Sequence, residues 1–409
     1  MNDIFEYYKL ELTAKSPVFI GSGQSIGKKE FCLLTKTDTI RFMDMEKLIN
    51  YFAKENTENL ELFEKFLIED PSIAKKQRRG KDGTLYTGEE CLSKKWLHTF
   101  LNLIGMPVSK RKECALYEIE NHGMFQDDKT PCDINCFMRG SDGKAYIPGS
   151  SVKGMLRTAL FQQLIRKNPD RLPEETFINK EERNLTEKLI NTLELKYKKG
   201  SPDANDAVNS IMRGIIISDS EAIPNECMTV CKKIDRTSSR SGGEEKTLNV
   251  ARECIKPYTK AIFHVKVDNR YFRPVGIKMS FPDLFSEMIK AFDEEYRKFY
   301  LSKFAEVEGN KIDFEHDFLV LGGGSGYFGK NIIYTRFGFN SGLRKVSEYM
   351  RAKDLDKYGR PKDKDGKMKN PDDYNIHGIS PHMLKLTMYN NELYHMGICD
   401  VELKKEEIE

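Results

Sequence analysis

Alternation of apolar and polar positions is clearest near the start of the chain. Tyr8, Leu10, Leu12 and Ala14 alternate with Lys9, Glu11 and Thr13, the period of a half-buried strand. Phe263, Val265 and Val267 alternate with His264, Lys266 and Asp268 and predict a second strand of the same kind. GIIISDSEAI (214–223) predicts a buried strand, and residues 384–403 (LKLTMYN, then ELYHMGICDVEL) predict two strands that close a sheet. Helical spacing governs 44–70, through Leu48, Tyr51, Phe52, Leu60, Phe63 and Leu67, and also 282–307. In YIPGSSVKGMLRTALFQQLI (146–165), Pro148 and Gly149 break the chain and Ser150 or Ser151 is expected to cap. Val152, Met155, Leu156, Ala159, Leu160 and Leu164 then make one apolar face. The stretch 115–145 is polar with scattered apolar residues (Ile119, Met124, Phe125, Ile134, Phe137, Met138) and predicts an irregular, hairpin-like excursion outside the core. KKQRRGKDGT (75–84) predicts a basic loop and 351–375 a charged, mobile surface loop. The fold class is therefore α+β. Two units are expected, 1–215 and 216–409, each holding a glycine-rich turn.

Composition narrows the function without naming it. The 409 residues suffice for real cores without disulfide or metal staples. Sixty-six basic and 63 acidic residues leave a net charge of +3, so a polyanion would have to be met by a local basic patch. No apolar run approaches transmembrane length, and MNDIFEYYKLELTAK lacks a basic segment followed by an apolar one. Neither membrane insertion nor export is expected. Nine irregularly spaced cysteines fit reduced thiols in a cytoplasm.

Lys153 and Arg157 lie four residues apart at a helix start. Like charges at that spacing cost roughly 0.2–0.5 kcal/mol, and both oppose the helix dipole. A phosphate over the helix start would offset that cost, with free N–H groups from Gly149, Ser150 and Ser151. A solvated charged face is the plainer alternative.

Gly322 to Lys330 (GGGSGYFGK) puts five glycines in eight residues ahead of a lysine. Gly324 to Lys330 fits the opening of a Walker A loop, but Asn331 stands where magnesium coordination needs Ser or Thr, and NIIYTRFGF looks more strand-like than helical. Nucleotide hydrolysis is therefore not expected. Gly323, Gly324 and Ser325 permit close backbone approach, and Tyr327 and Phe328 beside Lys330 offer stacking surfaces to single-stranded RNA. A purely structural turn is the alternative.

Cys132/Cys136 and Cys227/Cys231 share a C-x-x-x-C spacing that is loose for zinc, and DKDGKMKNPDD lacks the closing glutamate of a calcium loop. No metal or cofactor is expected. The seven histidines are dispersed and form no nucleophile pairing. IDRTSSRSGGEEK places Arg236 and Arg240 around hydroxyls and a glycine pair, where a flexible loop and a backbone-binding loop stand level.

Three segments together carry a resemblance: IGSGQ after the first strand, YIPGSSVKGMLRTAL, and LGGGSGYFGK. They resemble the RAMP superfamily of CRISPR-associated proteins, whose domains are RRM-like ferredoxin folds. The FIGSGQSIGKKEF opening, SDSEAI and IDRTSSR are most similar to the fifth-subunit family of type III-A (Csm) effector complexes. The resemblance spans about residues 7–403. It implies two RRM-like (ferredoxin-like) RAMP domains with an inserted thumb-like hairpin at 115–145. It also implies an end cap that grips the 3′ side of the CRISPR RNA beside the Csm backbone and small subunits and supports guide maturation and target-RNA binding. Carried onto this chain, it places backbone phosphates at Gly21, Ser22 and Gly23, at Ser150 to Arg157, and at the 322–330 loop, with Lys28, Lys29, Arg236 and Arg240 as further contacts. In the backbone subunits of such complexes an aspartate after the first strand cleaves target RNA. Here that loop reads GSGQSIGKKE, with Glu30 alone, so a non-catalytic role is expected. Glu30 is expected to be ionised and paired between Lys28 and Lys29. The rivals are a RAMP-type endoribonuclease using His316 or Tyr327, and an end subunit of the related Cmr complex.

Overall fold

The computed structural model describes residues 5–55, 57–70, 73, 78–79, 85–86, 96–121, 133–172, 178–195, 207–310, 316–353 and 374–407. Two large sheets organise it. The first is antiparallel and five-stranded, in the order β13 (Leu319–Val320), β16 (Ile398–Lys405), β1 (Glu6–Ala14), β12 (Lys260–Val267) and β9 (Ile215–Ile217). Its registers pair Leu10 with Phe263 and with Leu403, so the alternating apolar residues of the central strand face one core. Two long helices, α5 (Gly149–Lys167) and α7 (Phe281–Phe299), pack against each other and enter the same core. α7 starts where it does for local reasons. The Ser280 hydroxyl accepts from the Asp283 N–H, Pro282 occupies the first turn, and Arg297 and Lys298 close the last. The predicted apolar face of α5 is buried throughout, together with Thr158, Gln162 and Gln163.

The second sheet runs β2 (Gly21–Ile26), β8 (Asp133–Phe137), β11 (Glu245–Ile255), β10 (Met228–Thr237), β7 (Ala115–Glu120), β4 (Thr39–Met43) and β3 (Phe31–Leu34). Farther along β10, β14 (Met383–Tyr389) takes the place of β7, and β15 (Glu392–His395) pairs with β14. A two-stranded ribbon joins β5 (Arg78–Arg79) to β6 (Leu85–Tyr86). Helices α1 (Met45–Glu55), α2 (Thr57–Leu67), α3 (Leu97–Leu103) and α4 (Val108–Glu113) hang from β3 and β4. Leu48, Phe52, Phe63, Phe66 and Phe100 there form an apolar cluster distinct from the main core. The remaining helices are α6 (Ile178–Leu185), α8 (Ile333–Lys353, kinked at Gly338) and α9 (Tyr374–His377).

The architecture is mixed α+β. Both sheets draw strands from each side of residue 215, so the stretches 1–215 and 216–409 share their hydrogen-bonded layers. Several local expectations change. The 115–145 excursion supplies β7 and β8 to the sheet, with Ile119, Ile134 and Phe137 buried, because their apolar residues alternate within short strands. β7 and β8 do not pair with each other, and the residues between them, 122–132, lie outside the described ones. So do most of 75–84, nearly all of 351–375 and Cys132. Only Ile215–Ile217 of the 214–223 segment is strand, and it is an edge, with Ile216 exposed. The two strands expected at 384–403 are three, split between both sheets. NIIYTRFGF begins helix α8, capped by the Asn331 side chain, which accepts from the Ile333 and Tyr334 N–H groups. No helix among the described residues is long and apolar enough to cross a membrane.

α5 contains a paired test of this packing. A methyl group at Gly149 would sit 2.3 Å from the Ile217 carbonyl oxygen and 2.4 Å from that of Ser218, whereas one at Gly154 meets nothing within 4 Å. Gly149→Ala is expected to destabilise by about 1–3 kcal/mol through overpacking against backbone that cannot yield. Gly154→Ala is expected to stabilise by about 0.4–1 kcal/mol. Urea melts of the two variants check both signs.

Candidate nucleic-acid interface

The start of α5 is occupied by the protein itself. The Gly149 N–H donates to Asp219 Oδ1 at 2.8 Å, so a carboxylate already complements the positive end of the helix. Neither Ser150 nor Ser151 caps; Pro148 is the boundary residue and the two serines lie inside the helix. Lys153 Nζ donates to the Ile215 carbonyl at 2.7 Å, capping the edge strand β9. Burial lowers the Lys153 pKa. Lys153 and Arg157 are therefore not a joint phosphate clamp. Arg157 points elsewhere, its guanidinium 5.4 Å from the Phe161 ring centroid. Burial lowers its pKa too, opposed in part by nearby Glu182.

The glycine-rich loop is pressed against the chain before β2. The Gly323 N–H donates to the Phe19 carbonyl at 2.8 Å. Gly322, at φ 89°, lies so close that a methyl there would be 2.2 Å from the same oxygen. Farther along, a methyl on Gly324 would meet the Arg252 guanidinium at 2.6 Å, and one on Gly326 the Lys385 side chain at 2.8 Å. Ser325 is buried, its hydroxyl donating to the Gly322 carbonyl. The two aromatics turn inward. Phe328 stacks on Tyr300 with ring centroids 4.3 Å apart and contacts Tyr334, so it has no free face for a base. Tyr327 buries its hydroxyl, and desolvation drives its pKa upward. Lys330 remains exposed.

Two of the expected groups do converge. Arg157 and Lys330 line one 310 Å³ cavity with Arg183, Glu182, Thr158, Thr186, Phe161 and Ile332. A second convergence was not legible in sequence. β10 and β14 pair Asp235 with Lys385, and β10 and β11 pair Cys231 with Arg252, which brings Lys233, Lys385 and Arg252 together under the glycine loop. Asp235 bridges the two lysines at 3.3 and 2.7 Å. The Lys233 pKa falls through desolvation, with the neighbouring Lys385 and Arg252 charges adding to the effect. Two of the three cations thus share one carboxylate, and Arg252 has no ion pair among the described residues. Alternation within each strand hints at which side chains share a face, but only the register shows that they meet.

The GSG turn joins this surface through Phe19. β2 is an edge strand whose register with β8 slips between Gly21 and Ser25, so Ser22, Gly23 and Gln24 bulge outward. Ser22 Oγ donates to the Cys136 carbonyl and accepts from the Gln24 N–H, while Gly21 and Gly23 stay exposed. The Phe19 ring lies between the two glycine turns, 3.0 Å from where a Gly21 methyl would be and 3.1 Å from a Gly323 methyl. Arg252 lies 5.6 Å from its centroid.

Other expected contacts fall elsewhere. Lys29 Nζ donates to the Phe66 and Leu67 carbonyls at 2.8 and 3.0 Å and pairs with Glu69, closing the C-terminal end of α2. Lys28 lies in the turn whose carbonyl receives the Leu97 N–H. Glu30 accepts from the Gly27 N–H, and Lys29 turns away from it, so the expected lysine pairing at Glu30 is not formed by Lys29. Arg236 is held by Glu245 and Glu308 at 2.8 and 2.9 Å. Arg240 is exposed beside Gly378. Among the described residues no three of His, Cys, Asp and Glu are grouped to hold a metal.

Glycine turns, an edge bulge and two groups of cations are thus carried on a mixed α+β scaffold. The chain belongs to the RAMP superfamily, whose sequence profile matches residues 11–329. Curated relatives include the CRISPR system Cms protein Csm5 of Mycobacterium tuberculosis (strain CDC 1551 / Oshkosh), 28% identical with both chains fully covered. The Streptococcus thermophilus protein of the same name is 27% identical over 81% of this chain and 82% of its own length. Among solved structures, a chain of the cryo-EM structure of a Csm–crRNA–target RNA ternary complex in a type III-A CRISPR-Cas system superposes with a TM-score of 0.60. It is 16% identical and covers 97% of this chain and 100% of its own. The crystal structure of T.onnurineus Csm5 gives 0.56 at 15% identity, covering 95% and 99%. At those identities the structures establish the fold.

The contrast between Lys29 and Lys330 can be measured. Lys29→Ala leaves two helix-end carbonyls without their charged donor and is expected to cost about 1–3 kcal/mol of stability, with no change in RNA affinity. Lys330→Ala is expected to do the reverse. Thermal melts and filter binding with a single-stranded RNA separate the two.

Proposed function

We propose that the chain is the Csm5-type subunit of a type III-A effector ribonucleoprotein. In this reading it binds the 3′ side of the CRISPR RNA at the end of the Csm backbone and cleaves no RNA itself. One observation carries the proposal. Arg157 and Lys330 line one cavity and Arg252 lies against Gly324 and Phe19, and none of the three has an ion-pair partner among the described residues. Uncommitted cations beside a glycine loop and an edge bulge suit consecutive phosphates.

In this reading the five-stranded sheet with α5 and α7 is one RRM-like unit, and the thumb expected at 115–145 falls in part on residues 122–132, outside the described ones. Neighbouring Csm backbone and small subunits complete the particle. The absence of catalysis rests on the first loop, where Glu30 is engaged with the Gly27 N–H. A lone carboxylate in that position lacks the further ligands that metal-assisted cleavage needs to hold a cation and a nucleophile together. The rival endoribonuclease loses support at Tyr327, whose buried hydroxyl has its pKa raised by desolvation and is a poor acid or base at pH 7.

Arg157→Ala with Lys330→Ala is expected to reduce the slope of log affinity against log salt by about 1.4 for a single strand, two phosphate contacts being lost. An unchanged slope would remove these residues from the interface. Complexes assembled with Glu30→Ala are expected to cut target RNA at every wild-type position. Loss of one specific cut with binding intact would make this subunit catalytic.

A further inference from the structure

One cavity lies along a sheet edge that is unpaired among the described residues. Its 740 Å³ are bounded by the β15 strand, by Lys15 and Ser16, by Tyr258, and by Arg236 with Glu245 and Glu308. β14 and β15 are joined by Asn390 and Asn391, both at positive φ (50° and 62°), the geometry of a tight two-residue hairpin loop. In such a hairpin Tyr389 and Glu392 exchange ladder bonds, as do Thr387 and Tyr394. The next pairs in the ladder, Met388 with Leu393 and Leu386 with His395, therefore turn the N–H and C=O groups of Leu393 and His395 away from β14. No strand pairs with β15 on that side among the described residues.

The walls carry further unmet demands. His395 is 2% exposed and its Nε2 has no hydrogen-bond partner; burial holds its pKa down at about 4, so the ring is neutral at pH 7. Arg236 Nε is also buried without a partner, although its Nη2 is held by both glutamates. Main-chain donors and acceptors turned outward along a strand edge suit a peptide main chain, which offers both; a phosphate offers only acceptors. Charge selects the side chains. Arg236 is shared by Glu245 and Glu308, and Lys15 faces Asp400 at 3.7 Å, so the exposed rim keeps an excess of carboxylate at Glu308 and Glu392. Tyr258, 72% exposed and at φ 66°, stands at the mouth, and Tyr394 lies along the wall.

We infer that the β15 edge is a docking site for an extended, lysine- or arginine-bearing segment of a partner protein, which adds to the sheet as a further strand and seats its cations on Glu308 and Glu392. This surface is separate from the RNA-binding reading, because its cations are committed and its rim is acidic.

The test uses the full-length chain and a labelled nine-residue peptide alternating lysine and valine, with a glutamate–valine counterpart. The lysine peptide is expected to bind at least tenfold tighter than the glutamate one and to protect the Leu393 and His395 amides from hydrogen exchange. Leu393→Pro removes an N–H that β14 does not use and is expected to weaken binding at least tenfold. Glu392→Lys is expected to weaken it several-fold, while Arg157→Ala with Lys330→Ala leaves it unchanged. Equal affinity for the two peptides, no binding of either, or protection confined to other strands would overturn the proposal. So would protection of the same amides by a 20-nucleotide single-stranded RNA, which would make the edge an RNA surface. Exchange on the wild-type chain decides the matter even if the proline variant fails to fold.

Discussion

Close approach of backbone to backbone at a few glycines sets the positions of everything else. Gly149 brings the first turn of α5 against the carbonyls that end β9, and Gly322 brings the glycine-rich loop against the Phe19 carbonyl. Gly397 makes a third such contact, with the Leu321 oxygen 2.3 Å from where its methyl would lie. Any side chain at these points would push whole elements apart, and the displacement could not be absorbed by a rotamer. The first contact fixes α5, and with it Arg157. The second fixes the loop that carries Lys330 and covers Arg252. The candidate site is thus a by-product of packing: the same glycines that let layers close also hold cations from distant parts of the chain in one neighbourhood.

The remaining cations show how far that neighbourhood differs from the rest of the molecule. Glu253 is fully buried and is satisfied by Arg139, by the Phe137 N–H and by Tyr117, whose ring lies 3.6 Å beneath the same guanidinium. Glu181, equally buried, takes Arg336. Such pairs add little net stability over an apolar alternative, but losing one partner is costly because the other charge stays buried. Lys29, Lys153 and Arg236 are similarly occupied, by helix-end carbonyls, an edge carbonyl and two glutamates. A net charge near zero conceals this division between cations that hold the fold and cations that do not.

Much of the fold was legible, because alternation and helical spacing are local. The central strand of the first sheet, its partner at 260–267, and the helices α5 and α7 lie where their apolar periods put them. Glycine-rich segments were harder. A glycine needed for a ligand and a glycine needed for another strand look alike in sequence, and Gly149 and Gly322 are of the second kind. The aromatic pair Tyr327–Phe328 misled for a related reason, since a basic neighbour at Lys330 says nothing about which way the rings turn. Arg252, Lys233 and Lys385 left no sequence signal at all: they lie on three strands, and register alone makes them neighbours.

Binding and folding draw on the same charges here. Burial lowers the pKa of Arg157, Lys153 and Lys233, which means that their charged forms are held at some cost in the unliganded chain. For Lys153 that cost is met by a carbonyl of β9, and for Lys233 by Asp235. Arg157 has only the more distant Glu182. A phosphate placed in the cavity between Arg157 and Lys330 would supply the missing counter-charge beside the partly buried Arg157. Any ligand that does so binds the folded chain and not the unfolded one, and so stabilises the fold by mass action. On the proposed reading, the CRISPR RNA backbone would supply the counter-charge that Arg157 lacks in the chain alone.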